Sequence, residues 1–143
     1  MPKYFTRQEA ERVLRDVEPL LREAIHLKAQ FQEADEILKG IAREITMRGG
    51  MAVNRDQMSE TQRQRDSAVS RLQADMEAIQ EKGCLVKDLD TGLLDFPTLY
   101  DDREVYLCWR LGEKRIDFWH GVDEGFRGRK PIDDEFMAKH KGD

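Results

Sequence analysis

The chain has 143 residues, with 24 Lys and Arg against 29 Asp and Glu for a net charge of −5, and 37% of it is charged. That is one domain's length, and an apolar fraction of 39% is low for a globule yet too high for a disordered acidic tail. Apolar runs are short and the start, Met1-Pro-Lys-Tyr-Phe-Thr-Arg, has no hydrophobic signal core, so no membrane span or secretion is expected. Cys84 and Cys108 are too few for a disulfide framework and lack zinc-ribbon spacing, which predicts free thiols in a reducing, cytoplasmic setting. Basic residues are interleaved with acids, 14 against 15 through Lys82 and 10 against 14 after it, so no basic face favours nucleic acid.

Thr6 followed by Glu9 predicts a capping box that starts a helix near Arg7. Ala10, Val13, Val17, Leu20, Ala24, Leu27, Phe31, Ala34, Leu38, Ile41 and Ile45 then recur in steps of three and four, an a/d seam for packing helix on helix. Pro19 predicts a kink or break around Asp16 to Glu18, because its ring opposes the carbonyl of Arg15. Gly49-Gly50 ends this helix, Asn54-Arg-Asp turns the chain, and a second helix is expected from about Gln57 to Lys82, with Gly83 as its cap. Its seam is Met58, Val69, Leu72, Met76 and Ile79. Leu14, Leu21, Ile25 and Ile37 add apolar surface that one partner helix cannot cover; the sheet lobe can take some of it, and the preferred solution is a homodimer whose two helical hairpins form a four-helix bundle.

After Gly83 the pattern shortens to strands. Cys84 to Leu89 and Leu93 to Phe96 form an expected hairpin stopped by Pro97. A turn at Asp101-Asp-Arg leads into Val105 to Leu111, apolar on both faces and therefore central, followed by a short segment around Ile116 to Trp119. The tail from His120 reads as loop with one helical turn near Asp134 to Lys139 and a frayed end. The fold class is therefore α+β: a long, coiled-coil-like antiparallel hairpin over residues 1–82, then a small antiparallel sheet lobe with an irregular tail over residues 83–143.

Several runs resemble a known family: Phe5-Thr-Arg-Gln-Glu-Ala10, Lys87-Asp88, Thr91-Gly92-Leu93, Asp95-Phe96-Pro97, Val105-Tyr-Leu-Cys-Trp-Arg-Leu-Gly-Glu113, Trp119-His120, Gly125-Phe126 and Gly128-Arg129. Together they are similar to the bacterial proteins grouped as domain of unknown function 2203, over essentially the whole chain. The resemblance implies a bacterial cytosolic protein and carries no catalytic assignment. One departure is the bulky, acidic stretch Tyr100-Asp-Asp-Arg-Glu104 before the central strand.

Chemistry-bearing side chains gather on or beside the expected sheet: Lys87, Asp88, Asp95, Arg110, His120, Asp123, Arg127 and Arg129. Arg110 with Arg127 or Arg129 could hold a phosphate or carboxylate through guanidinium forks, with Gly125 and Gly128 admitting a close backbone approach. The preferred alternative pairs Arg110 with Asp88 or Asp95, and Arg129 with Asp123 or Glu124, as structural ion pairs. His120 with Asp123, Asp95 and Asp88 could bind a divalent metal or act as a general acid or base. The plainer reading bonds its ring to a carbonyl or carboxylate, with Trp119 in the core. Cys108 could be a nucleophile beside His120 but is more naturally a small buried hydrophobe. His26 and His140 carry no case. The expected function is a non-enzymatic, self-associating or partner-binding hairpin; the alternative is a small-anion-binding protein or hydrolase using Arg110, His120 and Arg129, with its cofactor unknown.

Overall fold

The computed structural model describes residues 3–49 and 55–143. Two long helices, α1 (Arg7–Met47) and α2 (Arg55–Glu81), pack together and are followed by strands β1 (Leu85–Asp88), β2 (Leu93–Tyr100), β3 (Arg103–Arg110) and β4 (Phe118–Gly121). A 3₁₀ turn (Phe126–Gly128), β5 (Lys130–Pro131), α3 (Asp134–Lys139) and β6 (His140–Lys141) complete the chain. The fold is α+β, as the patterning implies. The expected turn at Gly50 and Asn54 lies outside the described residues. Among the described residues no helix is long and apolar enough to cross a membrane.

The chain divides into two compact units. One comprises residues 1–22 and 76–143, so the sheet shares its unit with the first turns of α1 and the last of α2. The other, residues 23–75, is the distal part of the two helices.

In the first unit, α1 begins on the capping box: Thr6 N donates to Glu9 Oε1 at 3.0 Å and Glu9 N to Thr6 Oγ1 at 3.1 Å. Ala10, Val17 and Ala24 form the midline of the α1 stripe, but Leu14 and Leu21 on one side are buried while Val13 and Leu20 on the other are only half-buried. The 3.6-residue period supplies the midline, and which flank is covered depends on the elements packed against it. Two of the residues expected to be surplus therefore belong to the chain's own core. Of the kink or break expected near Pro19, the break does not occur: α1 runs through it as one helix. Pro19 and Arg15 are both exposed, so the carbonyl that loses its partner lies on the solvent side.

The six strands form one antiparallel sheet in the order β1-β2-β3-β4-β5, with β6 also on β2. Contrary to expectation, Pro97 does not stop its strand. β1 pairs β2 at Leu93 to Asp95 and β6 pairs it at Leu99 and Tyr100, which leaves a gap on that edge at Pro97. There the Pro97 carbonyl accepts from Phe5 N at 2.8 Å. The proline nitrogen points to the same edge, so its missing N–H removes no bond to β3. The acidic stretch before β3 is likewise a tight two-residue hairpin turn, with Asp101 and Asp102 at φ 50° and 61°, as a type I′ turn requires. Lys141 Nζ sits 2.7 Å from Asp102 Oδ1.

The expected frayed end is also corrected. Asp133 caps α3 by accepting from Phe136 N at 2.8 Å, β6 joins β2, and Asp143 N donates to Tyr4 O at 3.1 Å. His140 turns out to be a helix cap: its Nε2 accepts from Arg7 N at 3.0 Å. Backbone pairing and a buried Phe136 outweigh the polarity that made this segment read as loop.

The distal unit has a thin core. Among the described residues its buried apolar ones are Ala24, Leu27, Ala34 and Ala68, and Thr61 is buried as well. α2 also turns Asp75 inward, and its Oδ2 is buried without a hydrogen-bond partner. Burial and the facing Glu23 carboxylate raise the Asp75 carboxyl above its ordinary range, against the pull of Arg71. A raised carboxyl favours folding in its protonated form, so this contribution is full below the ordinary carboxyl pKa and is lost as pH rises through the folded value. Asp75→Asn is expected to stabilise the chain at pH 7 by about 1 kcal/mol, the gain shrinking toward pH 4. Urea unfolding at both pH values measures it, and equal stability of variant and parent at pH 7 would contradict it.

Candidate functional site

The sheet register decides which side chains meet. Leu94, Phe96, Thr98, Val105, Leu107 and Trp109 share one face, where Phe5 packs edge-on against Phe96 at 5.6 Å. Asp95 lies opposite Cys108, and Phe118 and His120 lie opposite Cys108 and Tyr106, so Asp95, Cys108, Tyr106 and His120 share the other face. This second face is polar but not open: relative exposure is 1% for Asp95, 0% for Cys108 and 3% for His120.

His120 Nε2 stands 3.0 Å from both carboxylate oxygens of Asp95, and Nδ1 stands 2.7 Å from the carbonyl of Gly121. Both partners are acceptors, so both ring nitrogens must donate and the ring is an imidazolium. Burial works against that charge, but the bonds to Asp95, Cys108 and the Gly121 carbonyl outweigh it and lift the pKa to about 10. With both nitrogens occupied and the proton so firmly held, His120 is not poised as a general base near neutral pH. Tyr106 approaches the imidazole edge-on at 5.5 Å, and Lys87 Nζ lies 4.9 Å from the Tyr106 ring.

A second pair adjoins the first. Arg129 forks onto Glu113, with Nη1 to Oε1 at 3.1 Å and Nη2 to Oε2 at 2.7 Å. Its guanidinium sits over Phe118 at 4.0 Å and Phe126 at 4.2 Å, and it also interacts with the Cys108 thiol. Glu113 Oε1 accepts from Arg110 N at 2.7 Å, which fixes the carboxylate from the turn side. Gly112, at φ 104°, allows the turn that brings Glu113 back beside Arg110. Cys108 is therefore close to His120, their donor atoms lying within 4.8 Å of each other, and interacts electrostatically with Arg129. Cys84 is a different case: its thiol points to Ile79 O at 3.7 Å, and burial pushes its pKa up to about 12.

Of the residues singled out from the sequence, the structure gathers Asp95 and His120 in direct contact and Arg129 one thiol away. Arg110 stays near Arg129, its guanidinium 5.8 Å from the Phe126 ring that Arg129 also covers, and Lys87 reaches the layer at the Tyr106 ring. The others disperse: Asp88 is exposed and accepts from Asp90 N in its own turn, and Asp123 and Arg127 are exposed. The pairings expected for the arginines are exchanged: Arg129 takes Glu113, Asp95 takes His120, and Glu124 takes Lys130 at 2.8 Å. Among the described residues, the one group with metal-ligand composition is Asp95, Cys108 and His120, with donor atoms within 4.8 Å of one another, and it excludes Asp123 and Asp88. Glu113 escaped sequence reasoning, although the Leu-Gly-Glu turn directly after an arginine was a usable signal.

The sequence runs that carry the family resemblance supply this layer: Asp95, Cys108, Glu113, His120, Phe126 and Arg129 all stand in them. Neither a curated protein nor a solved structure matches the chain. A family match does exist and covers residues 3–132, from the segment ahead of α1 to just past β5. The chain thus belongs to the family described as "Uncharacterized conserved protein (DUF2203)".

Proposed function

We propose that this protein is a non-enzymatic module that forms a homodimer through its helical hairpin. The observation that carries this reading is apolar surface left open on the distal part of α1. Ile37 is 39% exposed, and Phe31, Leu38, Ile41 and Ile45 are only half-buried, because the facing length of α2 contributes little beyond Thr61 and Ala68 to the core. A groove of about 570 Å³ in this unit is lined by Ala34, Ile37 and Ala68 and flanked by Glu33, Glu60 and Arg63. Charges of both signs beside an apolar floor suit a two-fold interface, where one patch must complement itself. The free thiols Cys84 and Cys108 fit a cytoplasmic setting. The anion-binding alternative draws less support, since the Arg129 fork is already filled by Glu113.

Sedimentation of the full chain at micromolar concentration is expected to give a dimer. Ile37→Glu with Ile41→Glu is expected to yield a monomer of unchanged helical content, since each added carboxylate would be buried in the interface at a cost of several kcal/mol. A parent chain that stays monomeric at tens of micromolar would overturn the reading.

A further inference from the structure

We propose that Asp95, Cys108 and His120 bind one thiophilic divalent metal ion of the zinc class, tying β2, β3 and β4 together. The inference is independent of the hairpin reading and rests on geometry within the sheet unit. Three strands adjacent in the sheet each supply one ligand type: a carboxylate, a thiolate and an imidazole. Donors around a tetrahedral zinc ion with bonds of about 2.0–2.3 Å lie roughly 3.3–3.7 Å apart. Here Nε2 to Oδ is 3.0 Å and no donor lies beyond 4.8 Å from another, so shifts of about 1 Å or less would seat the ion. Sulfur among the donors selects zinc over magnesium or calcium.

The surroundings fit such an ion as well. The Gly121 carbonyl accepts from Nδ1 at 2.7 Å, which orients the ring and leaves Nε2 as the nitrogen facing the Asp95 carboxylate, the usual arrangement of a ligating histidine. Arg129 beside the Cys108 sulfur can donate to a thiolate, and its charge is cancelled by Glu113. Charge also balances: a dication would meet one thiolate and one carboxylate, with the protons it displaces from the ligands passing to solvent, so ion binding leaves no uncompensated charge. Both Asp95 oxygens stand equally near Nε2, so the carboxylate can supply one donor or two, and all three ligands are buried.

The test refolds the chelator-treated full chain with Co²⁺ as the probe. One Co²⁺ per chain is expected, with an intense near-ultraviolet thiolate-to-cobalt band that Zn²⁺ abolishes. The band should persist in Cys84→Ser and vanish in Cys108→Ser, affinity should fall more than about tenfold in His120→Asn, and Asp123→Asn should bind as the parent does. The proposal is overturned if the parent takes up no stoichiometric Co²⁺ between pH 7 and 9, if uptake gives no thiolate band, or if the band survives in Cys108→Ser. Should Cys108→Ser fail to fold, the parent and Cys84→Ser still decide: a band lost in Cys84→Ser would place the ligand there and overturn the assignment.

Discussion

In the metal-free chain, Asp95→Asn or His120→Asn is expected to cost about 3–5 kcal/mol of stability. Each substitution removes one member of a buried ion pair and leaves the other with its desolvation penalty unrelieved. The double variant should lose less than the sum of the two, because neither charge then remains, and the difference is the coupling energy of the cycle. The same pair sets a pH dependence. Facing His120 are Asp95 from β2, Cys108 and Tyr106 from β3 and Glu124 from the loop after β4. Because the folded pKa is raised to about 10 from an ordinary 6.5, the contribution is full below pH 6.5 and is lost as pH rises toward 10. The slope is up to about 1.4 kcal/mol per pH unit. Nitrogen NMR of the ring at pH 8 should show both nitrogens protonated. A neutral ring at pH 7, or variants as stable as the parent, would refute the buried-imidazolium account.

How much of this was legible from residues alone differs between helices and sheet for a physical reason. Helix starts and stripes are local: Thr6 and Glu9 are three residues apart, so their mutual capping could be read directly and is seen at 3.0 and 3.1 Å. The covered flank of the stripe is not local, so periodicity chose Val13 and Leu20 where the structure buries Leu14 and Leu21. For the sheet, alternation along β3 correctly divided Tyr106, Cys108 and Arg110 from Val105, Leu107 and Trp109. Which neighbour stands across from each residue is a matter of register, and register decided that His120 meets Asp95 while Asp88 and Asp123 remain exposed. Pro97 shows the same limit. Its rule as a strand stopper holds only where its edge needs a donor, and here that edge meets Phe5 at a carbonyl instead.

Phe136→Ala is also expected to cost about 3–5 kcal/mol. The residue lies beyond the family match, in a short helix of only six residues, yet it is 1% exposed. Its ring stacks on Tyr100 at 5.1 Å, Trp119 at 4.9 Å and His140 at 5.0 Å, joining β2, β4 and β6. Truncation opens a cavity among three aromatic rings that cannot collapse onto one another without moving strands paired in the sheet. The damage should spread in a defined direction. His140 holds the first turn of α1 through Arg7 N, and β6 holds β2 at Leu99 and Tyr100, so amide exchange should quicken at Arg7 and in β6 before it does at the centre of β3. Phe136→Leu keeps most of the apolar volume and loses the stacking, so it should fall between parent and alanine variant. A loss under about 1 kcal/mol for Phe136→Ala in urea unfolding, with unchanged exchange at Arg7, would mean that the tail is a passive cover. In the expected outcome the last eleven residues are as much a part of the sheet's core as the strands they close.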